Sequence, residues 1–247
     1  MAKQTQMTMW DHIGELRKRL IYVLIVFVVS MLIGFFFAEE AVSFLKAQVA
    51  DQLELAVFSP TDAFKVYLQF AIAVALIITL PFVLYHIWAF VRPGLTSQER
   101  KLTLSYIPGG AVLFLMGLSF GYFLLFPFVL SFMTGIATQL GANELYGMAQ
   151  YFGFLFALVI PFGFIFQMPL IILFLTSLGI ITPIFLRKIR KFAYFALFVL
   201  AAVITPPELL SHLLVTLPLI LLYEISIWFS SVAYRRVLKN KEQAYDQ

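Results

Sequence analysis

Cysteine is absent from all 247 residues. That excludes disulfides, thiolate nucleophiles and thiolate metal sites together, and it leaves the redox compartment open. Charge is scarce as well. Charged residues make up 12% of the chain against 62% hydrophobic, where a soluble domain carries about 25% charge. No polar surface can be drawn over such a chain, so lipid must solvate much of it. Histidine occurs only as His12, His86 and His212, on three separate segments with no His-x-x-x-His pair. Interfacial polar roles suit these three better than metal ligation. No glycine is followed by lysine, which excludes a Walker loop and nucleotide-driven work by this chain.

What the chain has is apolar length. Apolar segments fall at about 20–38, 64–90, 103–128, 151–178, 192–204 and 212–230. A helix needs about 20 apolar residues to cross a hydrocarbon core about 30 Å thick. Backbone polar groups must be satisfied within lipid, so these segments read as helices. The first four are long enough. The second carries Pro81 and the fourth carries Pro161 and Pro169, so bending or tilting is expected there. The fifth is short and is stopped by Thr205-Pro206-Pro207-Glu208, because consecutive prolines cannot continue a helix. The sixth also reads as short. Arg17, Lys18 and Arg19 before the first run imitate a secretory signal. That run is too long for an h-region of 7–15 residues and lacks a small-residue cleavage site, so it reads as a retained helix.

Charge placement orients the segments. With sides alternating, fifteen of the seventeen basic residues fall on one side: in the N-terminal segment, the second and fourth connections and the C-terminal tail. The other side holds Lys46 and Lys65 beside seven acids, among them Glu39, Asp62 and Glu208. The positive-inside rule makes the basic side cytoplasmic, with both termini on it. A re-entrant final hairpin would give the same count. Glu208 at its tip would then lie at mid-membrane depth at high cost, so spanning is favoured. The connections at about 39–63 and 129–150 are long enough for short helices.

Gly117-Leu118-Ser119-Phe120-Gly121 matches a nucleophile elbow, but such an elbow belongs on a strand-to-helix turn. Inside an apolar segment the same residues form a small-xxx-small packing motif. An intramembrane hydrolase on Ser119 would also need a base at that depth, and no histidine lies there. Polar residues within the apolar segments are few: Gln69, Gln167 and Glu224. A small-molecule permease would line a central path with more of them. Glu224, toward the cytoplasmic end of its segment, can reach the interface or pair with a basic side chain.

Two acids stand out on the basic side. Glu15 lies in His12-Ile13-Gly14-Glu15-Leu16-Arg17-Lys18-Arg19, and Glu99 in Ser97-Gln98-Glu99-Arg100-Lys101. Glu15 and Arg19 are spaced for ordinary i,i+4 helix pairing. The alternative is a pair of carboxylates that receives two guanidinium forks, a planar, charge-assisted arrangement selective for arginine over lysine. Spacing leaves both open.

At these residues the chain resembles the TatC family of the twin-arginine protein export pathway, with details most similar to Bacillus-type members. The resemblance runs from about Met9 to about Tyr234. It is carried by HIGELRKRL at 12–20, PFVLYHIWAFVRPGLTSQERK at 81–101, FGYFLLFPF at 120–128, PFGFIFQMP at 161–169, GIITP at 179–183, ITPPELLS at 204–211 and PLILLYEIS at 218–226.

The resemblance implies an all-α polytopic membrane protein, residues 1–247 forming a single TatC-like domain. Six transmembrane helices form a bent, cupped arrangement with short fifth and sixth helices. It implies a receptor without enzymatic activity or cofactor, in the plasma membrane of a bacterium. Such a receptor binds the twin-arginine signal peptide of folded cargo and recruits single-span TatA-type proteins, with TatB-like proteins where present. The result is an oligomeric complex in membrane lipid that involves no nucleic acid and is driven by the proton-motive force. Glu15 and Glu99 then recognise the arginine pair, with Arg17, Arg19, Phe90, Pro93 and Arg100 around the same site. Gln167 and Thr205 match places of contact with the single-span partner. Many family members carry Glu where this chain has Gln167, and an amide cannot titrate.

Overall fold

Inside a bilayer no water is available to an unpaired backbone N–H, and this chain answers with helices. The structure is a computed structural model describing residues 9–49, 54–92, 100, 103–141, 145–205 and 209–245. Helix α1 (Met9–Phe36) is followed by α2 (Ala38–Val49), strand β1 (Glu54–Ala56) and α3 (Asp62–Val91). Helix α4 (Tyr106–Phe120) passes through a π-helical turn at Gly121–Leu125 into α5 (Phe126–Gln139). Strand β2 (Leu145–Gly147), α6 (Met148–Ile165), α7 (Met168–Ser177), α8 (Pro183–Lys188), α9 (Arg190–Ile204) and α10 (Leu209–Tyr245) complete the order. Among the described residues, five stretches are long and apolar enough to cross a membrane: Ile13–Phe36, Asp62–Val91, Tyr106–Gln139, Met148–Ser177 and His212–Arg235. Helix α9 has 15 residues, which cover about 22 Å. It is the short fifth segment the sequence led us to expect.

Three boundaries differ from the apolar runs, each for a local reason. The third segment, expected to end near 128, continues to Gln139. Pro127 cannot donate a backbone hydrogen bond, and the π-helical turn just before it absorbs the missing link without ending the helix. The fourth is two helices separated at Phe166–Gln167. Pro169 has no N–H for the Ile165 carbonyl, so the ladder breaks one turn earlier. The sixth, expected at 212–230, runs from Leu209 to Tyr245. The part that can cross a membrane is His212–Arg235, and the polar final turns continue in helical form. By contrast α3 passes through Pro81 uninterrupted.

Helices α1, α4 and α6 pack against α3, α6 also packs against α4, and α10 packs against α7, α8 and α9. Lipid tails are as apolar as leucine, so this packing draws on close van der Waals fit rather than on expulsion of water. Phe114, Phe152 and Phe162 are fully buried. Phe70 meets Phe152 and Phe156 edge-on, at centroid distances of 5.1 and 4.9 Å. The Gly117-x-x-x-Gly121 motif lies on the face of α4 and the π-helical turn that crosses α6. A Cβ on Gly117 would stand 2.9 Å from the Gly163 Cα, and one on Gly121 3.0 Å from the Val159 Cα. The motif is therefore a crossing point of two backbones, with Ser119 inside a continuous helix and no strand-to-helix elbow.

At the opposite end from the basic connections, β1 and β2 pair in parallel, Glu54 facing Leu145 and Ala56 facing Gly147. Asp62 is 2% exposed at the start of α3. It accepts a bond from the Ser59 N–H at 3.0 Å and from Lys65 at 3.3 Å, fixing the entry of the chain into the second span.

Candidate functional site

Glu15 and Arg19 lie one turn apart on α1, and they are paired. Arg19 Nε donates to Glu15 Oε1 at 3.0 Å, and its Nη2 is ion-paired to the same oxygen. The pair is not a free surface bridge, because Arg19 Nη2 also donates to the Ala89 carbonyl of α3 at 3.2 Å. That third contact ties α1 to the end of α3, and it leaves Glu15 and Arg19 only 23% and 21% exposed. One carboxylate oxygen is thereby committed. The other, Glu15 Oε2, is buried and has no hydrogen-bond partner among the described residues. A buried carboxylate oxygen with no donor is costly to leave so, and a cationic N–H donor is the group that relieves it best.

The neighbouring connection is clipped at its base. Trp88 Nε1 donates to Thr103 Oγ1 at 2.9 Å in a buried bond. Arg100 Nε donates to the Arg92 carbonyl at 3.1 Å. The Arg92 guanidinium rests 5.6 Å from the Trp88 ring centroid. These contacts fold the two flanks of residues 93–99 back on each other beside the α3 end that Arg19 touches. Phe90 is half-buried there, next to Ala89. Arg17 is exposed on α1, with no acidic partner among the described residues. Pro93 and Glu99 lie outside the described residues. The structure thus brings Glu15, Arg19, Phe90 and Arg100 to the α1 and α3 ends.

Gln167 is 4% exposed at the break between α6 and α7. Its Nε2 donates to the Gly110 carbonyl of α4 at 2.8 Å, while its Oε1 is buried without a partner among the described residues. Thr205 caps the end of α9, its hydroxyl donating to the Ala201 carbonyl at 2.9 Å. No described contact joins Gln167 to Thr205.

One cluster was only half legible. Glu224 on α10 takes Arg190 as its basic partner, with Nε at 2.8 Å and Nη2 at 2.9 Å, and accepts from the Tyr194 hydroxyl at 2.5 Å. The signal for Glu224 was an acid in an apolar run. Nothing local in the sequence singled out Arg190 from its basic neighbours. The buried bond between Thr176 and Ser230, 2.8 Å long and joining α7 to α10, had no sequence signal at all.

The sequence model of the family described as Sec-independent protein translocase protein (TatC) matches residues 11–218. The chain belongs to the TatC family. It is 54% identical to the Sec-independent protein translocase protein TatCy of Bacillus subtilis, over 96% of this chain and 94% of that one. It is 51% identical to the TatC protein of Halalkalibacterium halodurans, again over 96% and 94%. The crystal structure of the twin arginine translocase receptor TatC superposes with a TM-score of 0.76 at 36% identity, covering 90% of this chain and 99% of the other. TatC proteins are multi-span membrane proteins of a protein-transport family rather than enzymes. In this TatC chain Ser119 is an exposed residue within a continuous helix, and Gly117 and Gly121 on either side of it make the close approach to α6.

Proposed function

We propose that this chain is the receptor subunit of a twin-arginine protein export system in a bacterial plasma membrane. It binds the arginine pair of a signal peptide at the ends of α1 and α3. The observation that carries this reading is the state of Glu15: one oxygen is held by Arg19, and the other is buried and without a donor among the described residues. Arg19 fixes the carboxylate in place, and an incoming guanidinium takes the second oxygen. Glu99, next in sequence to the anchored Arg100, supplies the second carboxylate. Arg17, Phe90 and Pro93 border the same site.

The whole chain acts as a single membrane domain with both termini in the cytoplasm, as the charge distribution supports. Helix α9, at about 22 Å, is shorter than a hydrocarbon core of about 30 Å. The bilayer thins beside it, which lowers the barrier to a folded cargo. A TatA-type single-span protein docks near Gln167, at the break between α6 and α7, and near Thr205. The proton-motive force drives the transfer.

The test is export. Expressed with its TatA-type partner in a bacterium lacking its own TatC, this chain is expected to move a folded reporter across the membrane. A twin-lysine version of the signal should stay inside. Equal export of both signals, or of neither in cells where the chain is inserted and the partner present, would overturn the proposal.

A further inference from the structure

The clearest built feature outside the peptide site lies where α8, α9 and α10 meet. A polar cavity of about 430 Å³ is lined there by Arg187, Arg190, Glu224, Trp228, Ser231 and Arg235. Three guanidinium groups face one carboxylate, and that carboxylate is already used. Glu224 is bound by both Arg190 and Tyr194. Arg187 makes only a long 3.5 Å contact to Ser231, and among the described residues neither Arg187 nor Arg235 has an acidic partner. Among the described residues the cavity therefore carries an excess of positive charge, with N–H donors that no carboxylate meets, which is the complement of a phosphate.

A second cavity adjoins it. Trp228 and Val232 line both. The second, about 340 Å³, is apolar and runs between α10, α4 and α7 past Gly109, Leu113 and Leu173. The two differ in chemistry across one helix turn. The apolar span of α10 ends at Arg235, and exposed Trp228 lies seven residues before it, about 10 Å deeper. An aromatic ring at that depth below a basic rim marks the headgroup boundary.

We propose that these two cavities form one binding site for a single anionic glycerophospholipid. Arg187, Arg190 and Arg235 hold its phosphate, and an acyl chain lies in the groove past Trp228. A free phosphate would use only the first cavity and a zwitterionic lipid would leave the excess charge unmatched. The paired cavities commit the site to a lipid with net negative charge. The bound lipid ties α10 to the end of α8 and the start of α9, the short helices least able to anchor themselves.

The experiment is native mass spectrometry of the full chain released from nanodiscs of equal phosphatidylglycerol and phosphatidylcholine. One phosphatidylglycerol is expected to remain bound preferentially, and added inorganic phosphate should not displace it. At about fivefold in affinity for each basic residue near an anionic surface, Arg187→Gln with Arg235→Gln should weaken retention roughly 30-fold. The double lysine variant, which keeps the charge, should retain the preference and shows that the site tolerates substitution. Gly109→Phe fills the apolar groove, where a Cβ meets nothing within 4 Å, and should weaken retention with the arginines intact. Equal retention of both lipids, displacement by inorganic phosphate, or unchanged retention in the glutamine pair would overturn the proposal.

Discussion

Gly117→Ala is the substitution whose cost can be read most directly from this fold. The added Cβ would stand 2.9 Å from the Gly163 Cα and the Phe162 carbonyl carbon, where carbon atoms prefer about 3.5–4.0 Å. The obstacle is backbone on α6, so no rotamer change relieves it and the two helices must separate. Gly109→Ala, two turns earlier on the same helix, meets nothing within 4 Å. Both variants gain the same helix propensity, about 1 kcal/mol relative to glycine, and that gain cancels when they are compared. What is left is overpacking, which costs about 1–3 kcal/mol. Reversible unfolding in mixed micelles is therefore expected to place Gly117→Ala below Gly109→Ala by that amount. Equal stability of the two would refute the assignment of Gly117-x-x-x-Gly121 as a backbone crossing.

Glu224 and Arg190 are 37% and 41% exposed and border the polar cavity, so water within that cavity screens their attraction. A double-mutant cycle with alanine at both positions should give a coupling of about 0.2–1 kcal/mol by unfolding, and a value several times larger would mean that the pair is shielded. Gln167→Leu removes the donor to the Gly110 carbonyl and should lower stability by about 0.6–1.7 kcal/mol, the range for interhelical hydrogen bonds in membranes. It should also weaken co-purification of a TatA-type partner. Unchanged co-purification would remove Gln167 from the proposed docking site.

The spans were legible because lipid imposes a simple rule on the chain: apolar length and satisfied backbone. That rule located the first two long helices and the short α9. The packing reading of Gly117 and Gly121 followed from small residues at helical spacing, and α6 approaches closely at both. What the rule misses is what proline does to the ladder around it. Pro127 is accommodated by a π-helical turn, while Pro169 leaves a break at Gln167, and the residue type does not distinguish these outcomes. The extension of α10 to Tyr245 was hidden because its last turns are polar, and hydropathy marks only the apolar part of a helix. The parallel pairing of β1 with β2 joins residues some 90 positions apart, which no local pattern encodes. At the site, i,i+4 spacing showed that Glu15 and Arg19 could pair. The contact from Arg19 to Ala89, 70 residues away, is tertiary. It is what turns an ordinary helix pair into a positioned carboxylate.

The central claim is that Glu15 and Glu99 receive an arginine pair. Binding of a twin-arginine signal peptide to the full chain in nanodiscs, beside its twin-lysine version and a Glu15→Ala, Glu99→Ala variant, tests it most directly. Loss of one member of a buried charge pair costs about 2–5 kcal/mol, so both controls are predicted to lose binding at least roughly 30-fold. Equal binding in all three combinations would mean that Glu15 serves only to pair with Arg19, and that the peptide is recognised elsewhere.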